Sequence, residues 1–113
     1  MIQASNATIR LSIASDFTLF PGPREKWQGK NSAEEFLETH LEPKFLEAES
    51  KNVILMVDLD GTEGYSTAFL DGSFGALARR YTADRVLKTI RFITNDEPFL
   101  EKEIEFYMRQ TEK

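Results

Sequence analysis

Five apolar residues in unbroken succession, Val53, Ile54, Leu55, Met56 and Val57, run straight into Asp58. The run is too short for a helix of its own. β-Branched residues at both ends suit a strand at the centre of a sheet, covered on both faces. The other periodic segments arrange themselves around it. Ile9, Leu11 and Ile13 alternate with Thr8, Arg10 and Ser12, so residues 7–13 are expected to form a half-buried strand, antiparallel or at an edge. Residues 15–31 contain Pro21-Gly22-Pro23, which cannot continue a ladder. A loop is expected there, packed on the body or covering something, with room for a short extra strand around Phe17 and Phe20.

Asn31-Ser32 ahead of Glu34-Glu35 is the pattern of a capped helix start. Phe36, Leu37, Leu41, Phe45 and Leu46 follow at helical spacing, with Pro43 expected to break or kink the helix near Glu42. Residues 66–81 return to a helical period through Leu70, Phe74, Leu77, Ala78 and Tyr81. Gly72 and Gly75 inside that helix point to close packing against a neighbour. Residues 87–94 are expected to be a strand. Asn95-Asp96-Glu97-Pro98 should start a final helix that buries Leu100, Ile104, Tyr107 and Met108. Strands alternating with helices make this an α/β chain with a parallel centre.

The 113 residues fit a single domain over 1–113. The net charge of −5 and the scatter of basic residues, apart from Arg79-Arg80, leave no compact patch for nucleic acid. No apolar run approaches the ~18 residues of a membrane span. The first residues lack the basic start and apolar core of a secretory signal, so a cytoplasmic location is expected. Without cysteine there is neither a disulfide framework nor a thiolate metal site, and no metal or cofactor is expected.

The strongest chemical motif is Asp58-Leu59-Asp60-Gly61-Thr62, the D-x-D-G-T opening of haloacid-dehalogenase-type phosphatases. In an enzyme of that kind Asp58 would be the nucleophile and Asp60 the acid/base, with Mg²⁺ held by a later acidic pair. Only Asp96-Glu97 stands in that place, and the chain after Asp58 carries a single further strand. Asp60-Gly61 also serves as ordinary turn chemistry. A small Mg²⁺-dependent phosphatase or phosphotransferase is therefore the alternative reading. Its mark would be phosphatase activity that Asp58→Asn abolishes.

Past that turn, Ser66 and Thr67 are two adjacent hydroxyls at a helix start, Phe69, Asp71, Phe74, Gly75 and Leu77 following them. This spacing resembles the motif of bacterial STAS-like domains, a Ser-Ser/Thr-x-Phe-x-Asp/Glu-x-Phe-Gly-x-Leu run behind a strand and a D-x-x-G turn. The resemblance extends to Pro21-Gly22-Pro23-Arg24, to Ser32-Ala33-Glu34-Glu35-Phe36, and to Leu41 with Pro43. It implies a STAS-like α/β sandwich, a mixed sheet of about four strands with helices mainly on one face. The chain is more distantly similar to anti-sigma-factor antagonists, where a Ser in the corresponding loop is phosphorylated by a partner kinase. Tyr65 stands where those proteins carry Asp, so Glu63 or Asp60 would supply the nearby acid.

The resemblance implies a non-catalytic regulatory module that docks a protein partner, a histidine-kinase-like ATPase being the first candidate. The expected partner-binding or phosphoacceptor loop comprises Asp60, Glu63, Tyr65, Ser66, Thr67 and Phe69. Ser66 is expected to cap the helix and Thr67 to point outward. Three further residues have plain expectations: His40 at the surface, Trp27 packing its loop onto the sheet or anchoring a partner, and Arg24 in a surface ion pair.

Overall fold

The computed structural model describes residues 8–110. Three strands form its sheet: β1 (Thr8–Ser12), β2 (Ile54–Asp58) and β3 (Ile90–Ile93). They lie in the order β1-β2-β3 with both pairings parallel. The run from Val53 onward thus becomes the central strand, as expected. The mixed sheet of about four strands does not: three strands, all parallel, are found among the described residues. β1 is at an edge but parallel, and residues 17–20 form no strand. Ala7, the expected start of the first strand, lies outside the described residues.

Parallel neighbours need crossovers, and both step the same way across the sheet. Right-handed connections then place both sets of helices on one face. Burial follows: Leu11, Leu55, Val57 and Ile90 are buried, whereas Thr8, Arg10 and Arg91 are exposed and Met56 is half-buried. β2 is therefore covered by helices on one face only, contrary to the two-sided burial its apolar run suggests. On the other face the register sets Met56 between Arg10 and Arg91, where the aliphatic stems of long cations can shelter an apolar side chain.

The first crossover is α1 (Ala33–Phe36), a π-turn (Leu37–Leu41) and α2 (Glu42–Lys51). Ser32 caps it, its hydroxyl accepting the Glu35 N–H at 3.0 Å. Pro43 does not end the helix. Its missing N–H and its ring are accommodated just after the π-turn, which widens the helix where proline would clash. The wider turn also explains why Leu46, expected in the apolar stripe, is 40 % exposed.

The second crossover is α3 (Thr67–Leu70), a second π-turn (Asp71–Gly75), α4 (Ala76–Tyr81) and α5 (Ala83–Thr89). α5 takes Leu87, Lys88 and Thr89, which the sequence assigned to the strand. A capping Thr82 hydroxyl accepts the Arg85 N–H and starts this extra helix. The two glycines of the π-turn are explained by close approach. A Cβ at Gly72 would lie 3.0 Å from the Ala33 Cβ, and one at Gly75 would lie 2.4 Å from Asp71 Oδ1.

The last helix, α6 (Leu100–Arg109), begins two residues past Pro98 and buries Leu100, Ile104 and Met108, with Tyr107 half-buried. Between helices and sheet sits an aromatic core. Phe36, Phe45, Phe69 and Phe74 are fully buried, and Phe36 meets the rings of Phe17, Phe69 and Phe74 at 5.3, 5.7 and 6.1 Å. His40 is not a free surface residue. Its ring packs on Phe17 and Phe36 while Nδ1 lies 2.7 Å from the Thr39 hydroxyl.

Candidate functional site

Parallel strands bring their carboxyl ends to one edge, where open α/β sheets place their working loops. Three loops meet there. The one after β2 is held on both sides. On one side the Asp60 carboxylate accepts the Asn95 side-chain amide at 3.0 Å and the Asp96 N–H at 2.9 Å, while Asp96 accepts the Gly61 N–H at 3.0 Å. On the other, the Glu63 N–H donates to the Leu19 carbonyl at 2.9 Å. Gly61 and Gly64 have φ of +95° and +126°, a backbone region that side chains disfavour, which is why glycine occupies both turns.

The two aspartates of the phosphatase-like motif are engaged within this scaffold. Asp58 accepts the Asp60 N–H at 3.0 Å and lies 3.5 Å from the Arg10 guanidinium. Both oxygens of Asp60 are taken by the loop after β3. Among the described residues, no three His, Asp or Glu side chains are grouped to hold a metal ion. The cleft between the two loops, lined by Asp60, Glu63, Tyr65 and Glu97, holds about 50 Å³. Small-molecule sites usually need roughly 300 Å³ or more, so this edge has the shape of a surface.

Tyr65 fastens the loop from beneath, its hydroxyl donating to the Leu59 carbonyl at 2.8 Å. Burial is the main reason its phenol is pushed up to about 12, with the charges of Asp58, Asp60 and Glu97 adding and a Thr62 hydrogen bond opposing. The folded chain thus keeps a proton that the unfolded chain releases near pH ~10. The stabilisation is complete below that pH and is lost as pH rises from ~10 through about 12. After discounting for solvent screening it amounts to roughly 2 kcal/mol. Denaturation at alkaline pH should show this decline, and Tyr65→Phe should flatten it. Tyrosinate absorbance should show one phenol titrating last.

Ser66 and Thr67 are both exposed at the start of α3, but their hydroxyls differ. Ser66 Oγ accepts the Phe69 N–H at 3.0 Å, the geometry of an N-cap. Thr67 Oγ1 faces outward and meets the Tyr107 hydroxyl of α6 at 3.3 Å. That hydroxyl also donates to Glu103 at 2.6 Å, which raises the Tyr107 phenol above its ordinary value.

Of the six residues read from sequence, five line this edge. Phe69 does not: it is fully buried and belongs to the core. Sequence reasoning missed the apolar residues that flank the loop. Leu19 and Phe20 are 49 % and 61 % exposed on the segment hydrogen-bonded to Glu63, and Phe99 is 62 % exposed beyond the loop that holds Asp60. Their only signal was position, since Leu19-Phe20 immediately precedes Pro21-Gly22 and Phe99 follows Pro98.

A family model described as the STAS-like domain of unknown function (DUF4325) matches residues 32–99. The match spans more than half of the chain, which therefore belongs to that family. It takes in the capped first helix, the central strand and the Ser66–Thr67 loop. Comparison with curated proteins and with solved structures found no match. No helix among the described residues is long and apolar enough to cross a membrane.

Proposed function

We propose that this STAS-like domain is a non-catalytic, cytoplasmic regulatory module that docks a protein through the carboxyl edge of its sheet. The observation that carries this reading is the display of exposed Leu19 and Phe20 on a segment pinned at Glu63 to the loop that leads into Ser66 and Thr67, at an edge whose cleft holds only about 50 Å³. Exposed apolar residues on a braced scaffold need little ordering on binding. The STAS-like resemblance supports a histidine-kinase-like ATPase as the partner.

Thr67 is the phosphoacceptor in this reading. Its hydroxyl is exposed and, among the described residues, meets only the Tyr107 hydroxyl, at 3.3 Å, whereas that of Ser66 holds the helix cap through the Phe69 N–H at 3.0 Å. A phosphoryl group would add about −2 charge at a helix start that tolerates it. It would also sit close to Glu103, displacing the Tyr107 hydroxyl that now joins them. Ser66→Ala should cost about 1 kcal/mol of stability and leave phosphorylation intact. Thr67→Ala should leave stability nearly unchanged and abolish phosphate incorporation by the cognate kinase. Urea denaturation reads the first effect, and phosphopeptide mapping after incubation with the ATPase reads the second. Label on Ser66 would contradict the assignment.

A further inference from the structure

Away from the docking edge, Trp27 is 81 % exposed and does not pack its loop onto the sheet, and Arg24 is paired with Asp71 at 2.6 Å. The edge itself holds an arrangement that docking alone does not require. Thr67 Oγ1, the Tyr107 hydroxyl and the Glu103 carboxylate stand in series, at 3.3 and 2.6 Å. Glu103 and Tyr107 are one turn apart on α6 and share a face. Tyr107 is half-buried against the core, which fixes where its hydroxyl stands. Thr67 reaches it from α3, 40 residues away in the chain.

The direction of this chain of hydroxyls follows from its protons. A carboxylate only accepts, and a phenol has one proton to give. At 2.6 Å that proton belongs to the Glu103 contact. The phenol oxygen is left as an acceptor, so across 3.3 Å the Thr67 O–H is the donor. The Tyr107 phenol responds accordingly. The Glu103 hydrogen bond raises it above its ordinary value, the Thr67 bond pulls it the other way, and burial with the charges of Glu103 and Asp71 adds to the rise.

A threonine hydroxyl is a weak nucleophile until something takes its proton. We propose that Tyr107 and Glu103 are the route by which that proton leaves, an inference that rests on Thr67 as the phosphoacceptor. The Thr67 oxygen attacks the terminal phosphorus of a nucleoside triphosphate held by the kinase. The new O–P bond forms as the bond to the β–γ bridging oxygen breaks, and the nucleoside diphosphate leaves with that electron pair. The Thr67 proton passes to the Tyr107 oxygen while the Tyr107 proton passes to Glu103, which then yields it to water. Tyr107 touches the reacting oxygen and ends as it began; Glu103 acts through it. A contact of 3.3 Å suits this role, because hydrogen bonds of this kind are often long in the free protein and tighten in the complex.

The direction of the route is tested without a partner. In the full-length protein, NMR of carbon-labelled tyrosine follows the Tyr107 phenol through its alkaline titration, the signal assigned by its loss in Tyr107→Phe. Glu103→Gln should lower the titration midpoint, and Thr67→Val, which removes the donated proton at nearly constant size, should raise it. A midpoint lowered or unmoved in Thr67→Val would overturn the route. Its use is tested with lysate of the source cells as the kinase and γ-labelled ATP as the donor, label on Thr67 being followed at rising concentrations of each folded variant. Tyr107→Phe and Glu103→Gln should lower the maximal rate roughly a hundredfold and leave the half-saturating concentration unchanged. A full maximal rate in Tyr107→Phe, or a loss seen only as a raised half-saturating concentration, would overturn the route and leave Thr67 as the acceptor. Wild type without label on Thr67 would overturn the acceptor assignment, and the route with it.

Discussion

Replacing Phe36 with alanine should destabilise the domain by about 3–5 kcal/mol. The ring is fully buried and meets Phe17, Phe69, Phe74 and His40, so it joins the first crossover, the loop after β1 and the second crossover. Neighbours drawn from three separate segments cannot all collapse into the vacated space, and the cavity adds to the lost burial. A domain of this size has only ~5–15 kcal/mol in total. The urea midpoint should therefore fall sharply at nearly constant slope. Phe17→Ala should cost less, because Phe17 is only partly buried. A Phe36→Ala midpoint close to wild type would mean that the rings do not form one core.

The largest functional effect is expected from Thr67→Glu. Thr67 stands at the first position of α3 with its hydroxyl facing outward, so the new carboxylate enters the proposed docking surface without disturbing the Ser66 cap. An acid is tolerated by a helix start, and the substitution should leave the denaturation midpoint almost unmoved. Glu103 already places a negative charge on the far side of Tyr107. Added charge in a partner interface therefore meets both desolvation and like-charge repulsion, and affinity for the partner should drop at least about tenfold. Ser66→Glu should lose affinity as well, but with a stability cost from the lost cap. Titration calorimetry with the partner, alongside denaturation of each variant, separates the two effects. Equal affinity in Thr67→Glu would remove Thr67 from the interface.

What the sequence disclosed and what it hid have physical causes. The central strand and the Ser32 and Ser66 caps were legible because each depends on local chemistry; the glycines at 72 and 75 signalled close packing, but not that Gly72 packs against Arg24 and Ala33, which lie far off in the chain. The one-sided cover of the sheet was not. Ile54 and Met56 are as apolar as Leu55 and Val57, so the run itself does not record that one face lies open between Arg10 and Arg91. The strand expected over residues 87–94 failed in its first three residues, because the Thr82 cap extends helix to Thr89. Proline 43 suggested a break, and the π-turn ahead of it absorbed the strain instead. The loop residues of the candidate site were found from their motif. Phe69 was misplaced because an aromatic two residues past a surface loop can face either way, and here the helix turns it into the core. The braces formed by Asn95 and Asp96 join segments 35 and 36 residues apart, and pairing at that range leaves no trace in periodicity.

The central claim is that the carboxyl edge of the sheet is a protein-docking surface, and one capture experiment bears on it most directly. Wild type, Thr67→Glu, Phe20→Asp and Lys102→Glu, the last on the exposed side of α6, are immobilised at equal density and exposed to lysate of the source cells. Each retained protein is then quantified by mass spectrometry. A specific partner should be retained by wild type and by Lys102→Glu, and lost from both Thr67→Glu and Phe20→Asp while all four remain folded. Equal retention of every specific partner by all four proteins would contradict the claim.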